Sequence, residues 1–142
     1  GVAERALNLA VEYTKERQQF GRAVGSFQGV KHRAAQMLVK VETARSAVYA
    51  AAFMADTADD ISDLSYFAAQ ARTDATEAAL FSTRESIQLH GGVGFTWEFD
   101  PHLFFRRAQA SSQRLGTVEQ WRELVAVRLL DEATEDQMAE AA

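Results

Sequence analysis

A chain of 142 residues, 47% hydrophobic and 25% charged, has the length of one domain and can bury a sizeable core. The absence of cysteine excludes a disulfide framework, a thiolate nucleophile and any Cys-ligated metal site. A net charge of −5 argues against general nucleic-acid binding, which wants a basic face, although a local anion site stays compatible with it. No apolar run approaches the roughly 20 residues that span a bilayer, and no charged-then-apolar leader opens the chain. A soluble, cytoplasmic domain without membrane or nucleic-acid partners is the expectation.

A single proline, Pro101, and many alanines favour helix over strand. Alternating β-branched runs bounded by turns are missing, so no sheet is expected. From Val2 to about Arg17, the residues Val2, Ala6, Leu9, Ala10 and Tyr13 share one face of a half-buried helix. The segment RQQFGRAVGSFQG, punctuated by Gly21, Gly25 and Gly29, reads as an extended connection. Next, Val30, Ala34, Met37, Val41, Ala44, Val48, Ala51 and Ala55 alternate at spacings of four and three. That seam predicts a long helix in an antiparallel bundle with crossings near ~20°.

The acidic stretch Asp56 to Asp63 suits a helix–helix turn with carboxylates near the next N-terminus. A third helix should run from about Ser62 to His90 on the seam Leu64, Ala68, Ala71, Ala75 and Ala78, stopped by Gly91-Gly92. Asp100 and Pro101 fit the cap and first turn of a short fourth helix ending near Ser111. After the break at Gly116, Thr117-Val118-Glu119-Gln120 has the capping-box pattern. The fifth helix should turn Val118, Trp121, Leu124, Val125 and Leu129 inward. The fold class is therefore all-α, an antiparallel bundle of four to five helices over residues 1–132, followed by a fraying tail at 133–142.

His32, His90 and His102 lack the spacing of a metal pair, and no Glu-x-x-His pattern of a di-iron bundle occurs. They read as surface or hydrogen-bonded residues, and no metal site is expected. The serines have no nucleophile-elbow context. Two glycine-containing connections differ. Gln88-Leu89-His90-Gly91-Gly92 offers a side-chain amide beside a bare backbone turn, open to a ligand's polar atoms or simply a helix stop. Arg17-Gln18-Gln19-Phe20-Gly21 combines a cation able to fork onto phosphate, an amide and an aromatic face. Its arginine is equally explained by the dipole at a helix C-terminus.

In order along the chain, these join further motifs: F-Q-x-V at Phe27 to Val30, R-R-A at Arg106 to Ala108, and G-T at Gly116-Thr117. The succession resembles the C-terminal helical domain of the flavin-dependent acyl-CoA dehydrogenases from Val2 to about Leu130. The stretch GFTWEFDPHLFFRR is similar to the actinobacterial branch that acts on bulky or steroid-derived acyl-CoA thioesters.

The resemblance implies FAD as cofactor, held between this bundle and a β-domain, with part of its binding supplied by a neighbouring subunit's bundle. It implies Arg17 on the FAD pyrophosphate with Gln19 and Phe20 beside it, and Gln28 near the adenosine portion. Gln88, Gly91 and Gly92 correspond to the family's amide and glycines against the same cofactor, and Thr117 to the threonine of its Glu-Gly-Thr motif. It further implies an acyl-CoA substrate, desaturated between its α and β carbons, an electron-transfer acceptor, and a homo- or hetero-oligomer of dehydrogenase subunits.

Three departures stand out. Leu115 occupies the position of the family's commonest base and cannot take a proton, so no catalytic residue is expected on this chain. Glu119 stands where many relatives carry a glutamine facing FAD. Arg107 replaces an aspartate, removing an expected ion-pair partner of Arg106. The chain also lacks counterparts of the family's N-terminal helical domain and β-domain, so alone it should not turn over. The alternative to a catalytic role is a non-catalytic domain or subunit that supports an active partner.

Overall fold

The computed structural model describes residues 1–58 and 60–140, with residues 132–140 described by backbone alone. Helix α1 spans Val2–Glu16. A two-stranded hairpin follows, β1 at Gln18–Gln19 and β2 at Arg22–Ala23, then a single 3₁₀ turn at Val24–Ser26. The long helices α2 (Gln28–Thr57) and α3 (Ile61–His90) form the centre. A 3₁₀ turn at Gly91–Phe95, α4 at Pro101–Ser112 and α5 at Val118–Glu140 complete the chain.

Helix α3 is the hub: it packs against α1, α2, α4 and α5. From Ala69 to Ser86 its buried positions are small, among them Ala71, Thr73, Thr76, Ala78 and Ser82, which lets its neighbours approach closely. This is why burial departs from the expected single seam. Ala71 and Ala78 are buried as expected, but Ala68 is exposed and Ala69 takes its place. The apolar core proper is Leu7, Ala10, Met37, Val41 and Leu89, where α1, α2 and α3 meet.

The seam on α2 is buried only through its middle, at Met37, Val41 and Ala44, while Val48 and Ala55 are exposed. Helix α2 has 30 residues and α1 only 15, so the far half of α2 outruns that neighbour. Helix α5 differs similarly. Val118, Trp121 and Val125 are partly buried, but Leu124 and Leu129 are exposed, against expectation. Among the described residues α5 is docked on α3 by Arg122 with Glu77 and by Arg128 with Asp63 at 3.1 Å, and its other face is uncovered. The tail expected to fray from Ala133 lies outside the described side chains, and residues 141–142 lie outside the described backbone.

The hairpin corrects the expectation of no sheet. Gln18 pairs with Ala23 and Gln19 with Arg22. Phe20 (φ 52°) and Gly21 (φ 76°) form its tip, both left-handed, as a two-residue turn of this kind requires. Turn chemistry made this ribbon, not strand propensity.

Helix ends follow their sequence signals with one exception. The Asp60 carboxylate accepts the Ser62 amide at 2.9 Å, and the Ser62 hydroxyl, also bonded to it, holds its pKa below the ordinary range. Thr117 and Gln120 form the reciprocal capping box: the Thr117 amide donates to Gln120 Oε1 at 2.9 Å and the Gln120 amide to Thr117 Oγ1 at 3.4 Å. Asp100 makes no side-chain cap, because its backbone is already helical (φ −78°, ψ −14°) rather than extended. Its carbonyl instead accepts the Leu103 amide at 2.9 Å.

Candidate functional site

Helix α1 stops when Arg17 turns extended (φ −67°, ψ 125°), with its amide still bonded to the Tyr13 carbonyl at 2.9 Å. The Arg17 carbonyl then accepts the Val24 amide at 2.8 Å, closing the base of the hairpin. At Gly25 a Cβ would lie 3.0 Å from the Thr14 carbonyl oxygen, so the returning chain lies tight against α1. Across from this corner, α3 ends at Gly91, whose φ of 65° is costly for any other residue. Gly94 packs the following turn back onto α3, where a Cβ would come 2.8 Å from the Ile87 carbonyl oxygen.

These two ends enclose a groove of about 360 Å³. It gathers Arg17, Gln19, Gln88, Gly91 and Gly92 of the expected cofactor set, along with Tyr13, Val24, Leu89, His90 and Val93. Added Cβ atoms at Gly91 or Gly92 would meet nothing within 4 Å, so a stretch of bare backbone faces open space beside the two amides. Among the described residues no carboxylate lies within ion-pair distance of Arg17. A free guanidinium, two primary amides and an unshielded backbone form a donor-rich set, and its chemistry matches a diphosphate or another polar ligand edge.

The remaining expected residues lie elsewhere. Phe20 sits at the hairpin tip, 92% exposed, with its ring edge-on to Phe27 at 6.1 Å. Gln28 opens α2, where its Oε1 lies 2.9 Å from His32 Nε2. Thr117 is held in the capping box of α5. None of these three lines the groove. Leu115 is 85% exposed at the α4–α5 turn. Glu119 is also exposed, its carboxyl held below the usual pKa range by its own backbone amide and by the Thr117 hydroxyl, so it stays ionised. Arg106 rests over the Trp97 ring at 5.8 Å, an aromatic partner in place of the missing carboxylate.

Residue-by-residue reading missed His90 and Tyr13 as groove walls. His90 is buried, donates from Nδ1 to the Ser86 carbonyl at 2.7 Å, and stacks on Tyr13 at 4.4 Å with Phe99 edge-on at 6.0 Å. Its lack of a second histidine concealed it, and only a fold brings an aromatic from α1 onto its ring. Burial lowers its pKa from the ordinary 6.5, opposed by the Ser86 carbonyl that accepts from Nδ1. As pH falls below that ordinary value the unfolded chain takes up protons that the folded one refuses. The stabilisation is therefore full above it and lost as pH falls through the folded pKa. The unfolding midpoint should decline as pH falls below about 6.5, and His90→Gln should flatten that decline. Parallel slopes in the two proteins would show that His90 carries no such linkage.

A second groove of about 340 Å³ lies among α1, α2 and α3, but its charges cancel: Arg45 binds Glu4 at 2.8 Å and Glu42 at 3.2 Å. That pairing lowers the Glu4 pKa and raises that of Arg45. Among the described residues no cluster of His, Asp or Glu could hold a metal ion, and no helix is long and apolar enough to cross a membrane.

Comparison with known proteins gives this architecture a family. Acyl-CoA dehydrogenase IpdE2 of Mycobacterium tuberculosis is 50% identical over 115 residues, covering 81% of this chain and 34% of that protein. The FAD complex of PigA superimposes with a TM-score of 0.83 at 30% identity, covering 89% of this chain and 32% of that one. The ChsE4–ChsE5 complex of Mycobacterium tuberculosis does so with a TM-score of 0.83 at 31% identity, covering 92% and 35%. The chain spans about a third of the length of these proteins. Residues 1–130 match the profile of the acyl-CoA dehydrogenase C-terminal domain, and the chain belongs to that family.

Proposed function

We propose that this bundle is the C-terminal part of an FAD-dependent acyl-CoA dehydrogenase that desaturates an acyl-CoA thioester between its α and β carbons. The observation that carries the reading is the convergence of Arg17, Gln19, Gln88 and the bare Gly91–Gly92 backbone on one groove, in a chain of this family. When bound, FAD supplies the hydride acceptor. Arg17 neutralises and orients its diphosphate, Gln19 and Gln88 hydrogen-bond its polar edge, and Gly91 and Gly92 let it approach the backbone. Phe20, Gln28 and Thr117, outside this groove, contact other portions of the cofactor, including one held by a neighbouring subunit.

Leucine at position 115 has no proton to exchange, so the base is supplied from outside this chain. The enzyme works in the cytoplasm and passes its electrons to a protein acceptor. Exposed Tyr49 and Phe53 on α2 and Leu124 and Leu130 on α5 are covered by the other domains and by fellow subunits. Leu115 also favours a second reading, in which the chain serves a non-catalytic subunit that supports an active partner.

The test is the visible spectrum of the full-length protein before and after addition of acyl-CoA thioesters. Flavin bands that bleach on mixing are expected. A flavin-bearing protein that is inert until a partner subunit is added would establish the supporting role. A colourless protein that takes up no added FAD would overturn both readings.

A further inference from the structure

A groove of about 500 Å³ lies along α2 and shares no lining residue with the expected cofactor groove. His32, Ala35, Gln36, Val39 and Lys40 of α2 line it, with Phe81 of α3. Their spacing of three and four puts the α2 residues on one continuous strip of that helix. Its floor is apolar: Val39 is 65% exposed, and the Lys40 ammonium lies over the Phe81 ring at 5.4 Å. Among the described residues no carboxylate lines this groove.

Over residues 28–41, α2 carries Lys31, His32, Arg33 and Lys40 and not one carboxylate. Arg33 is occupied by Glu85 at 2.6 Å. Among the described residues no carboxylate lies within ion-pair distance of Lys40. An acidic chain thus leaves a spare cation beside an exposed apolar strip. The complementary sequence stands at the far end of α5. Residues 131–140 contain Asp131, Glu132, Glu135, Asp136 and Glu140 and no cation, interspersed with alanines and Met138.

This segment does not meet the groove of its own bundle. Arg122 pairs with Glu77 and Arg128 with Asp63, so α5 runs antiparallel to α3 and leaves it near its first turn. Phe81 lies further along α3, about 27 Å back from Asp63 at 1.5 Å per residue. A second copy has no such bar, and the lengths agree. The strip from His32 to Lys40 is about 12 Å long, and a helix over residues 131–140 about 15 Å.

We propose that this groove is the dock for the acidic segment 131–140 of a second copy of the chain, a helix-in-groove contact. Lys40 meets the carboxylates of the segment, and Ala35, Val39 and Phe81 meet its apolar side chains. The contact does not depend on the dehydrogenase reading.

Carbodiimide coupling tests it on the full-length protein, in an equal mixture of unlabelled and nitrogen-15-labelled chains. Mass spectrometry should find Lys40 joined to Glu132, Glu135 or Asp136 in peptides of mixed isotope, which arise only from two copies. These links should be depleted in about 1 M salt, where the screening length falls to about 3 Å. Lys40→Glu should shift sedimentation toward smaller species with helical circular dichroism unchanged. Glu135→Lys with Asp136→Lys should do the same, and the three changes together should restore the wild-type distribution. Lys31→Glu, an equal charge change outside the groove, should leave it unaltered. Links confined to single-isotope peptides would assign the segment to its own bundle. Links from Lys40 only to carboxylates elsewhere would assign the groove to another occupant. Either result overturns the proposal, as does wild-type sedimentation of Lys40→Glu or a triple variant that stays dissociated.

Discussion

Arg17→Ala is expected to weaken FAD retention by about 1.5–3 kcal/mol, the range for a hydrogen bond to a charged group, or roughly tenfold to a hundredfold in affinity. The guanidinium lies in the groove with Gln19, Gln88 and the bare glycines, and no described carboxylate neutralises it. Its removal should leave the fold almost untouched, because an exposed side chain without an ion-pair partner contributes within about 0.5 kcal/mol. Equilibrium titration of the apoprotein with FAD, set beside its denaturation midpoint, separates the two effects. Full affinity in a folded Arg17→Ala protein would take Arg17 out of the ligand set. A matched loss of affinity and stability would make it a structural residue. Arg17→Lys should recover only part of the affinity, since an ammonium supplies the charge without the two-pronged geometry.

Met37→Ala should destabilise the protein by about 2–5 kcal/mol, the span measured for emptying a fully buried site of this size. Met37 has no exposed surface and joins Leu7, Ala10, Val41 and Leu89 where three helices meet. Ala10 has only a methyl group and cannot lean in to fill the space, so any relaxation falls to Leu7, Val41 and Leu89. Such a loss is a large fraction of the roughly 5–15 kcal/mol that holds an ordinary domain together. Urea denaturation should show a lower midpoint with an unchanged slope. A midpoint equal to wild type would mean that α2 slides to close the cavity. Met37→Leu, which nearly conserves volume, should cost below about 1.5 kcal/mol and so isolates the packing contribution.

Local signals determined the helices of this protein and their ends. The four–three spacing on α2, the glycine stop after His90, proline at the start of α4 and the Thr117–Gln120 box each act within a few residues, so each is legible in the chain. The motif order likewise revealed the family, and with it Arg17, Gln19, Gln88, Gly91 and Gly92 as candidates for one site. Which faces are buried was settled by tertiary packing. Periodicity marks an apolar stripe on α5 but not whether a neighbour covers it, and Leu124 and Leu129 stand exposed because, among the described residues, the helix packed firmly against α5 is α3, on its other face. The Phe20–Gly21 hairpin arose from two left-handed residues in a segment with no strand pattern. His90 became a neutral groove wall only when α1 laid Tyr13 across it, and Arg72 on α3 clamps the Ser111 and Arg114 carbonyls, 39 and 42 positions away. Burial, pKa and long-range clamps depend on which elements meet, and that is a property of the packed bundle, not of any short stretch of sequence.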